Sequence, residues 1–464
     1  MVRWGRGCSW GPLWQQCCRS ARKVDNGPVD SGSGNSGHGG HSGHGDQRDA
    51  HGRRGGVNLP ALRGHNDALV LELLRGAGPA GLGRTELAAR TGLTPQAVSK
   101  ITARLGADGL VAEAGRAAST GGKPRTLLRL VPDVRHAVGV HLDRDALRAV
   151  RVDLAGRVVA ESGGPLDFAA GPEAAVEAVV RAVARVGAHA GPPLVGVGVA
   201  APGPLDHRAG VMGRVTGFPS WKGFPLKGVL EGRLGLPVLL DKDTNAGAAA
   251  AAGAWLRATW PEADAGADAD AGVGAASGFG VGAGAGAGAG GGRGAVDVGP
   301  GVGVGAGAVG DVLVGGAPRT CVYLHVGTGL GAGLWLGGGV YRGARSAAGE
   351  FGHQVILLDG PPCRCGARGC VEVLCLEAVA RGDLPAAARI LGEAAANLVA
   401  LLDVDRVLLG GRVVAAAPDV FVAGVGAVLA ARALDPARPV VALAGAGVAE
   451  GAAEMALAPL FGRG

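Results

Sequence analysis

The run GEFGHQVILLDGPPCRCGARGC, residues 349–370, constrains the fold of this chain more than any other segment. It places three thiols, Cys363, Cys365 and Cys370, within eight residues and adds the imidazole of His353 upstream. Three sulfurs and one nitrogen complete a tetrahedral zinc set and leave no position open for water, so we expect a structural zinc ion. The alternative is a disulfide pair with a spare thiol, which is rare in reducing compartments.

Two low-complexity segments interrupt a chain of 464 residues, which is long enough for about two to four domains. Residues 1–62 mix Gly, Ser, His and Arg without an apolar period, so we expect a disordered tail. Its histidines offer metal binding as an alternative role. Residues 261–317 are rich in Gly and Ala and predict a disordered surface insertion, with a silk-like sheet as the alternative.

Positive charge is concentrated in the first third of the chain. Residues 63–131 hold ten Lys or Arg against five Asp or Glu, although the whole chain carries only +6. This distribution indicates a polyanionic partner. Because the apolar stretches are dense in Gly and no signal peptide pattern is present, we expect a cytoplasmic protein without a membrane partner.

The segment GRTELAARTGLTPQAVSKITARL, residues 83–105, predicts two short helices that meet at Gly92. Thr94 suits the N-cap and Pro95 the first position of the second helix, which then presents Gln96, Ser99 and Lys100 to a major groove. Further cations follow at Arg104, suited to a phosphate, and at Lys123 and Arg125, which stand at the tip of a wing between two predicted strands. A generic three-helix bundle with solvated charges is the alternative.

From His136 onward the chain predicts three strands, a helix over 173–186 and a further strand, which together favour an α/β domain with a mixed sheet. Three Gly-containing motifs follow in order: GVGVAAPGPLD at 196–206, VLLDKDTNAG at 238–247 and VYLHVGTGLGAGL at 322–334.

This order of motifs, with the helix-turn-helix before it and the cysteine run after it, resembles the ROK family of repressors and sugar kinases. The resemblance covers about residues 63–464 except the Gly-rich insertion. It implies a winged helix-turn-helix domain at 63–131, then an actin-like ATPase fold at 132–464 with two lobes and a sugar cleft. It also implies a homo-oligomer, either a dimer or a tetramer.

The resemblance assigns roles to individual residues. Asp243 matches the general base of kinase members, while Lys242 stands where an Asn usually precedes that base. With Lys242 and Asp243, the residues Glu350, His353 and Glu372 complete the sugar-contacting set that the resemblance implies, although the two glutamates are alternatively solvated loop charges. The remnant of the nucleotide loops comprises Gly327, Thr328, Gly329, Gly331, Gly410 and Gly411.

One departure from the kinase pattern decides the functional interpretation. Where kinases have a Gly-rich DxGxT turn for phosphate, this chain has Asp143-Arg144-Asp145-Ala146-Leu147. We expect Asp145 to place a charge and a side chain where backbone must approach phosphate. The chain is therefore interpreted as a regulator that binds an operator in double-stranded DNA and senses a sugar or sugar phosphate, and not as an enzyme. An active sugar kinase with a DNA-binding module, or a zinc-dependent interaction protein, are the alternatives.

Overall fold

The structure, a computed structural model, describes residues 59–116, 124–187, 191–258, 320–433 and 439–463. The predicted insertion at 261–317 lies outside the described residues, as do Lys123 and all but the end of the predicted tail at 1–62. The first helix already begins at Leu59, whereas the sequence predicted ordered chain from residue 63.

The first part of the described chain combines three helices with a small antiparallel sheet. Its helices are α1 (Leu59–Ala77), α2 (Arg84–Thr91) and α3 (Pro95–Ala107), and its strands are β1 (Leu82–Gly83), β2 (Val111–Arg116) and β3 (Thr126–Leu130) in the order β1-β3-β2. Helix α2 ends at Gly92 in the left-handed region, and the Thr94 hydroxyl caps α3 by accepting the Ala97 amide at 3.2 Å. The two helices and the two strands predicted here are confirmed.

A five-stranded mixed sheet forms the first lobe. Its strands are β4 (His136–Leu142), β5 (Ala146–Asp153), β6 (Val158–Pro165), β7 (Leu194–Ala201) and β10 (Val238–Lys242). Between them lie α4 (Pro172–Gly187), a short ladder of β8 (Leu205–Asp206) and β9 (Val211–Met212), and α5 (Leu226–Leu234). The strand order is β10-β7-β4-β5-β6. Strands β4, β7 and β10 are parallel, and β5 pairs antiparallel with both β4 and β6.

A second sheet repeats that topology. Its strands are β11 (Cys321–Val326), β12 (Leu330–Leu336), β13 (Gly339–Val340), β14 (Arg406–Gly410) and β15 (Val440–Leu443). The order β15-β14-β11-β12-β13, with β11, β14 and β15 parallel, matches the first sheet strand for strand. Two sheets of equal topology confirm the expected actin-like α/β fold.

Two helices fill the space between the sheets. Helix α6 (Asp243–Ala258) packs on the second sheet, and α11 (Val448–Leu457) packs on the first sheet and against α6. The remaining helices are α7 (Val371–Ala380), α8 (Leu384–Leu402), α9 (Arg412–Ala416) and α10 (Pro418–Arg432). By length and composition α8 is apolar enough to cross a membrane, but its Ala387 and Leu391 are fully buried in the core of the second lobe.

The hydrophobic core of the small first unit continues into the lobes. Leu73, Leu87 and Val98 share one hydrophobic cluster with Leu457 and Phe461 from the last helical segment of the chain. A buried group of charges accompanies this cluster: the guanidinium of Arg75 in α1 binds the carboxylate of Glu454 in α11. The unit made of α1–α3 and β1–β3 is therefore completed by residues nearly 400 positions further along the chain.

Candidate functional site

A polar cleft opens where strands of both sheets end. The carboxyl ends of β4, β7, β10 and β11 are followed by Asp143, Pro202, Asp243 and Gly327, at the edge where α/β sheets usually bind ligands. Residues from all four strand ends meet there. The lining comprises Asp143, Arg144, Pro202, Gly203, Pro204, Thr216, Lys242, Asp243, Thr244, His325, Thr328, Gly329, Leu330, Gly331, Gly349, Glu350, His353 and Glu372.

All five residues of the predicted sugar-contacting set line this cleft. Lys242 is only 3% exposed, and its ammonium donates to the Ala348 carbonyl and pairs with Glu350 at 3.1 Å. One carboxylate oxygen of Glu372 accepts the Leu330 amide at 3.0 Å. The chain thus supplies partners for both glutamates, and the Asp243 carboxylate accepts the Thr244 amide at 2.7 Å. Carboxylates in this cleft are therefore already fixed in orientation by hydrogen bonds within the chain.

The turn that replaces the kinase phosphate turn bridges the two lobes. Asp143 accepts the Thr328 hydroxyl at 2.6 Å, and the Arg144 guanidinium donates to the Thr328 carbonyl at 3.3 Å. A Cβ built on Gly329 would lie 3.3 Å from that guanidinium. Arg144 therefore occupies space beside the glycine-containing loop at Gly329.

Asp145 is placed differently from the expectation. Its carboxylate pairs with Arg412 of α9 at 2.7 Å, and both side chains are about half exposed. Asp145 does not line the cleft among the described residues, whereas Asp143 and Arg144 do.

Burial alone would raise the pKa of Asp143, but hydrogen bonds from Thr328 and from the Arg144 amide hold that pKa below its ordinary value. The turn therefore remains anionic at neutral pH.

Four residues beside the cleft form a cluster that can hold a metal ion. The ligand atoms of His353, Cys363, Cys365 and Cys370 all lie within 4.8 Å of one another. The Nδ1 atom of His353 is 3.7 Å from the Cys363 sulfur, and the sulfurs of Cys365 and Cys370 are also 3.7 Å apart. Since a disulfide requires about 2.05 Å, the disulfide alternative is wrong for these cysteines.

Some of the predicted DNA-contacting side chains are exposed, and one of them pairs with another side chain of this chain. Gln96, Ser99 and Lys100 are exposed along α3, and Arg125 is exposed at the start of β3. The partly exposed guanidinium of Arg104 pairs with Asp67 of α1, and its predicted contact with a phosphate stays a prediction.

Some residues near the site were not predicted from the sequence. His325, at the end of β11, lines the cleft, and its Nδ1 lies 3.0 Å from the Tyr323 hydroxyl. Strand alternation is the signal that points both side chains to one face. Two predicted loop residues, Gly410 and Gly411, lie behind β11 against Tyr323 and the Val326 backbone, outside the cleft lining.

Two lobes of equal topology around a polar cleft define a protein of the actin-like α/β fold class. A sequence model of the ROK family matches residues 137–294 and 303–382, slightly more than half of the chain. The chain belongs to the ROK family.

Individual relatives include both regulators and kinases. The xylose repressor of Caldicellulosiruptor bescii is 24% identical over 296 residues, which cover 63% of this chain and 59% of the repressor. A glucokinase of Streptomyces coelicolor is 27% identical over 237 residues, 51% of this chain and 54% of the kinase. The chain thus spans about three fifths of that repressor's length and about half of the kinase's.

One solved structure matches more of the chain. It is a ROK family transcriptional regulator described as a homologue of the E. coli MLC protein, with a TM-score of 0.61 at 18% identity. The match covers 86% of this chain and 97% of that regulator. At this identity the similarity establishes the fold.

Proposed function

We propose that the protein is a DNA-binding transcriptional regulator of sugar metabolism, acting as a repressor, whose lobes bind a sugar or sugar phosphate. The observation that carries this proposal is the hydrophobic core that α1–α3 share with α11, because it joins a helix-turn-helix to the lobes of the cleft. Relatives that are xylose repressors support the same interpretation. In this proposal residues 63–131 form the DNA-binding domain and residues 132–464 the sensing domain, with 261–317 as an insertion.

The geometry of α2, α3 and the small sheet supports a winged helix-turn-helix. Helix α3 begins sharply at a capped Thr94 and exposes Gln96, Ser99 and Lys100 on its first turns. These are the positions from which a recognition helix reaches base edges. Arg125 and Lys123 belong to the wing, where cations contact phosphates independently of sequence.

Zinc is the metal that this proposal assigns to the His353 cluster. Sulfurs bound about 2.3 Å from a tetrahedral zinc lie about 3.8 Å apart. The separation of 3.7 Å between Cys365 and Cys370 fits that value. Because His353 also lines the cleft, the ion would hold Glu350 and the imidazole in place from behind.

The remaining parts of the proposal follow from these. A cytoplasmic homo-oligomer, dimer or tetramer, suits a regulator because two-fold proteins bind two half-sites of an operator. The effector enters the cleft and no catalytic residue is assigned.

A sugar kinase is the second candidate, favoured by Asp243 and residues 328–331 in one cleft. We expect the purified protein to transfer no phosphate from Mg-ATP to D-glucose, D-xylose or N-acetylglucosamine, since the turn at 143–147 lacks the glycine of the kinase phosphate turn. A coupled assay for ADP release, with Asp243→Asn as the matched control, measures this. Turnover well above the Asp243→Asn variant would establish the kinase instead.

DNA binding tests the regulator directly. With the full chain and an operator selected from random DNA by the wild type, Gln96→Ala should relax preference at particular bases, losing about 1–3 kcal/mol there. Arg125→Ala should weaken binding to every sequence and lower the salt slope by about one. Lys222→Ala, which removes an exposed lysine of the first lobe, is the control and should leave fluorescence anisotropy titrations unchanged. Operator binding that survives all substitutions on α3 and the wing would contradict the proposal.

A further inference from the structure

A cluster of charges ties the helix-turn-helix to both lobes. The carboxylate of Glu454, in α11, binds Arg75 of α1 and lies 3.5 Å from the guanidinium of Arg257, in the last turn of α6. Arg75 is 1% exposed and stacks over the Phe461 ring at 4.6 Å. A parallel contact joins Arg463 to Glu72 of α1 at 3.0 Å. We call Glu454, Arg75 and Arg257 the Glu454 cluster.

Helix α6 connects this cluster to the cleft. Its first residue, Asp243, lines the cleft, and Arg257 lies fourteen residues later, about 21 Å along a helix. One end of α6 therefore lies among the carboxylates of the cleft. The other end contacts Glu454, which also binds Arg75 of α1.

Helix α6 has little freedom to move without α11. A Cβ at Gly451 of α11 would collide with the Ala246 carbonyl oxygen of α6, so the two backbones touch. Close-packed interiors move as units because small displacements produce overlaps. This contact holds the first turn of α6 to α11, whereas the last turn of α6 meets α11 through Arg257 and Glu454. A displacement of that last turn therefore reaches α1 through Glu454 and Arg75.

We propose that α6 carries the occupancy of the cleft to the DNA-binding helices, with Arg257 as the positioning residue at its far end. This inference rests on the proposed function. It assigns different roles within the Glu454 cluster. Arg75 anchors α1, since it is buried, whereas Arg257 is one-third exposed and lies farther from the carboxylate. Replacing Arg257 thus removes the link while leaving the anchor in place.

The experiment uses the full chain, a selected operator and D-xylose as the probe. In the wild type, D-xylose should change the dissociation constant for DNA by about tenfold. In Arg257→Gln, sugar binding by calorimetry and DNA affinity without sugar should stay within about twofold of wild type, while the response should fall below about twofold. Arg233→Gln, which breaks an exposed pair with Glu177, is the matched control and should keep the full response. A full response in Arg257→Gln overturns the inference.

A second measurement separates failure of this link from failure of the proposed function. If D-xylose does not bind, D-xylose is not the effector of the proposed function, but hydrogen exchange still tests α6. Asp243→Asn should alter exchange in Leu59–Ala77, and the same change in an Arg257→Gln background should not. Exchange in that helix that ignores Asp243→Asn, or follows it equally in both backgrounds, overturns the inference.

Discussion

Replacing Cys365 with serine is expected to release the metal and to lower the melting temperature by about 10 °C. Bound structural zinc contributes several kcal/mol to folding, and each kcal/mol shifts the melting temperature of a domain of this size by roughly 2–4 °C. Cys365 is exposed, so the serine leaves no cavity and the loss is due to the metal. The measurements are elemental analysis of purified protein and a thermal scan.

Cys375→Ser provides the control for this experiment. Cys375 is buried, and its sulfur faces the Ala387 carbonyl at 3.7 Å, away from the cluster. That variant should retain one equivalent of zinc whatever its stability. Freshly purified wild type without zinc, or Cys365→Ser with a full equivalent, would refute the zinc assignment.

Replacing Glu454 with glutamine is expected to lower the free energy of unfolding by about 3–5 kcal/mol, because it leaves the Arg75 charge buried without its carboxylate. Urea unfolding at neutral pH measures the loss. Glu161→Gln is the control, since Glu161 is half exposed beside Arg148. An exposed pair contributes about 0–1 kcal/mol. Equal losses for the two variants would contradict the assigned role of Glu454.

The difference in the free energy of unfolding between wild type and Glu454→Gln should depend on pH in one direction. Burial would raise the pKa of Glu454, but Arg75 and Arg257 lower it to about 2. A carboxylate whose folded pKa is depressed stabilises the fold above its unfolded pKa, and the contribution is lost as the pH falls through the folded value. The gap between wild type and Glu454→Gln should therefore be full at neutral pH and shrink as the pH falls from about 4.5 towards 2.

Local signals in the sequence were sufficient to predict helices α2 and α3 and the strands that follow them. Thr94 and Pro95 define the start of α3 by chemistry within four residues, and Leu73 and Leu74 define the buried face of α1 by spacing alone. The cysteine spacing likewise located the metal cluster, although only the sulfur separations excluded a disulfide.

Contacts between distant residues were beyond such reasoning. The sequence showed that Asp145 departs from the kinase pattern, but its partner Arg412 is 267 residues away, so the pair appears only once the lobes are folded. Glu454 lies in a run of alanines with no distinguishing motif. Its importance comes from Arg75 and Arg257, which chain spacing does not bring together.

The shared core of α1–α3 and α11 also bears on how the protein is made. The leucines of α1–α3 are synthesised roughly 350 residues before Leu457 and Phe461 cover them, a delay of tens of seconds at about 5–20 residues per second. During translation α1–α3 therefore emerge with an open apolar face. A ribosome-bound or prematurely terminated chain consequently lacks the α11 residues that complete the core of these helices.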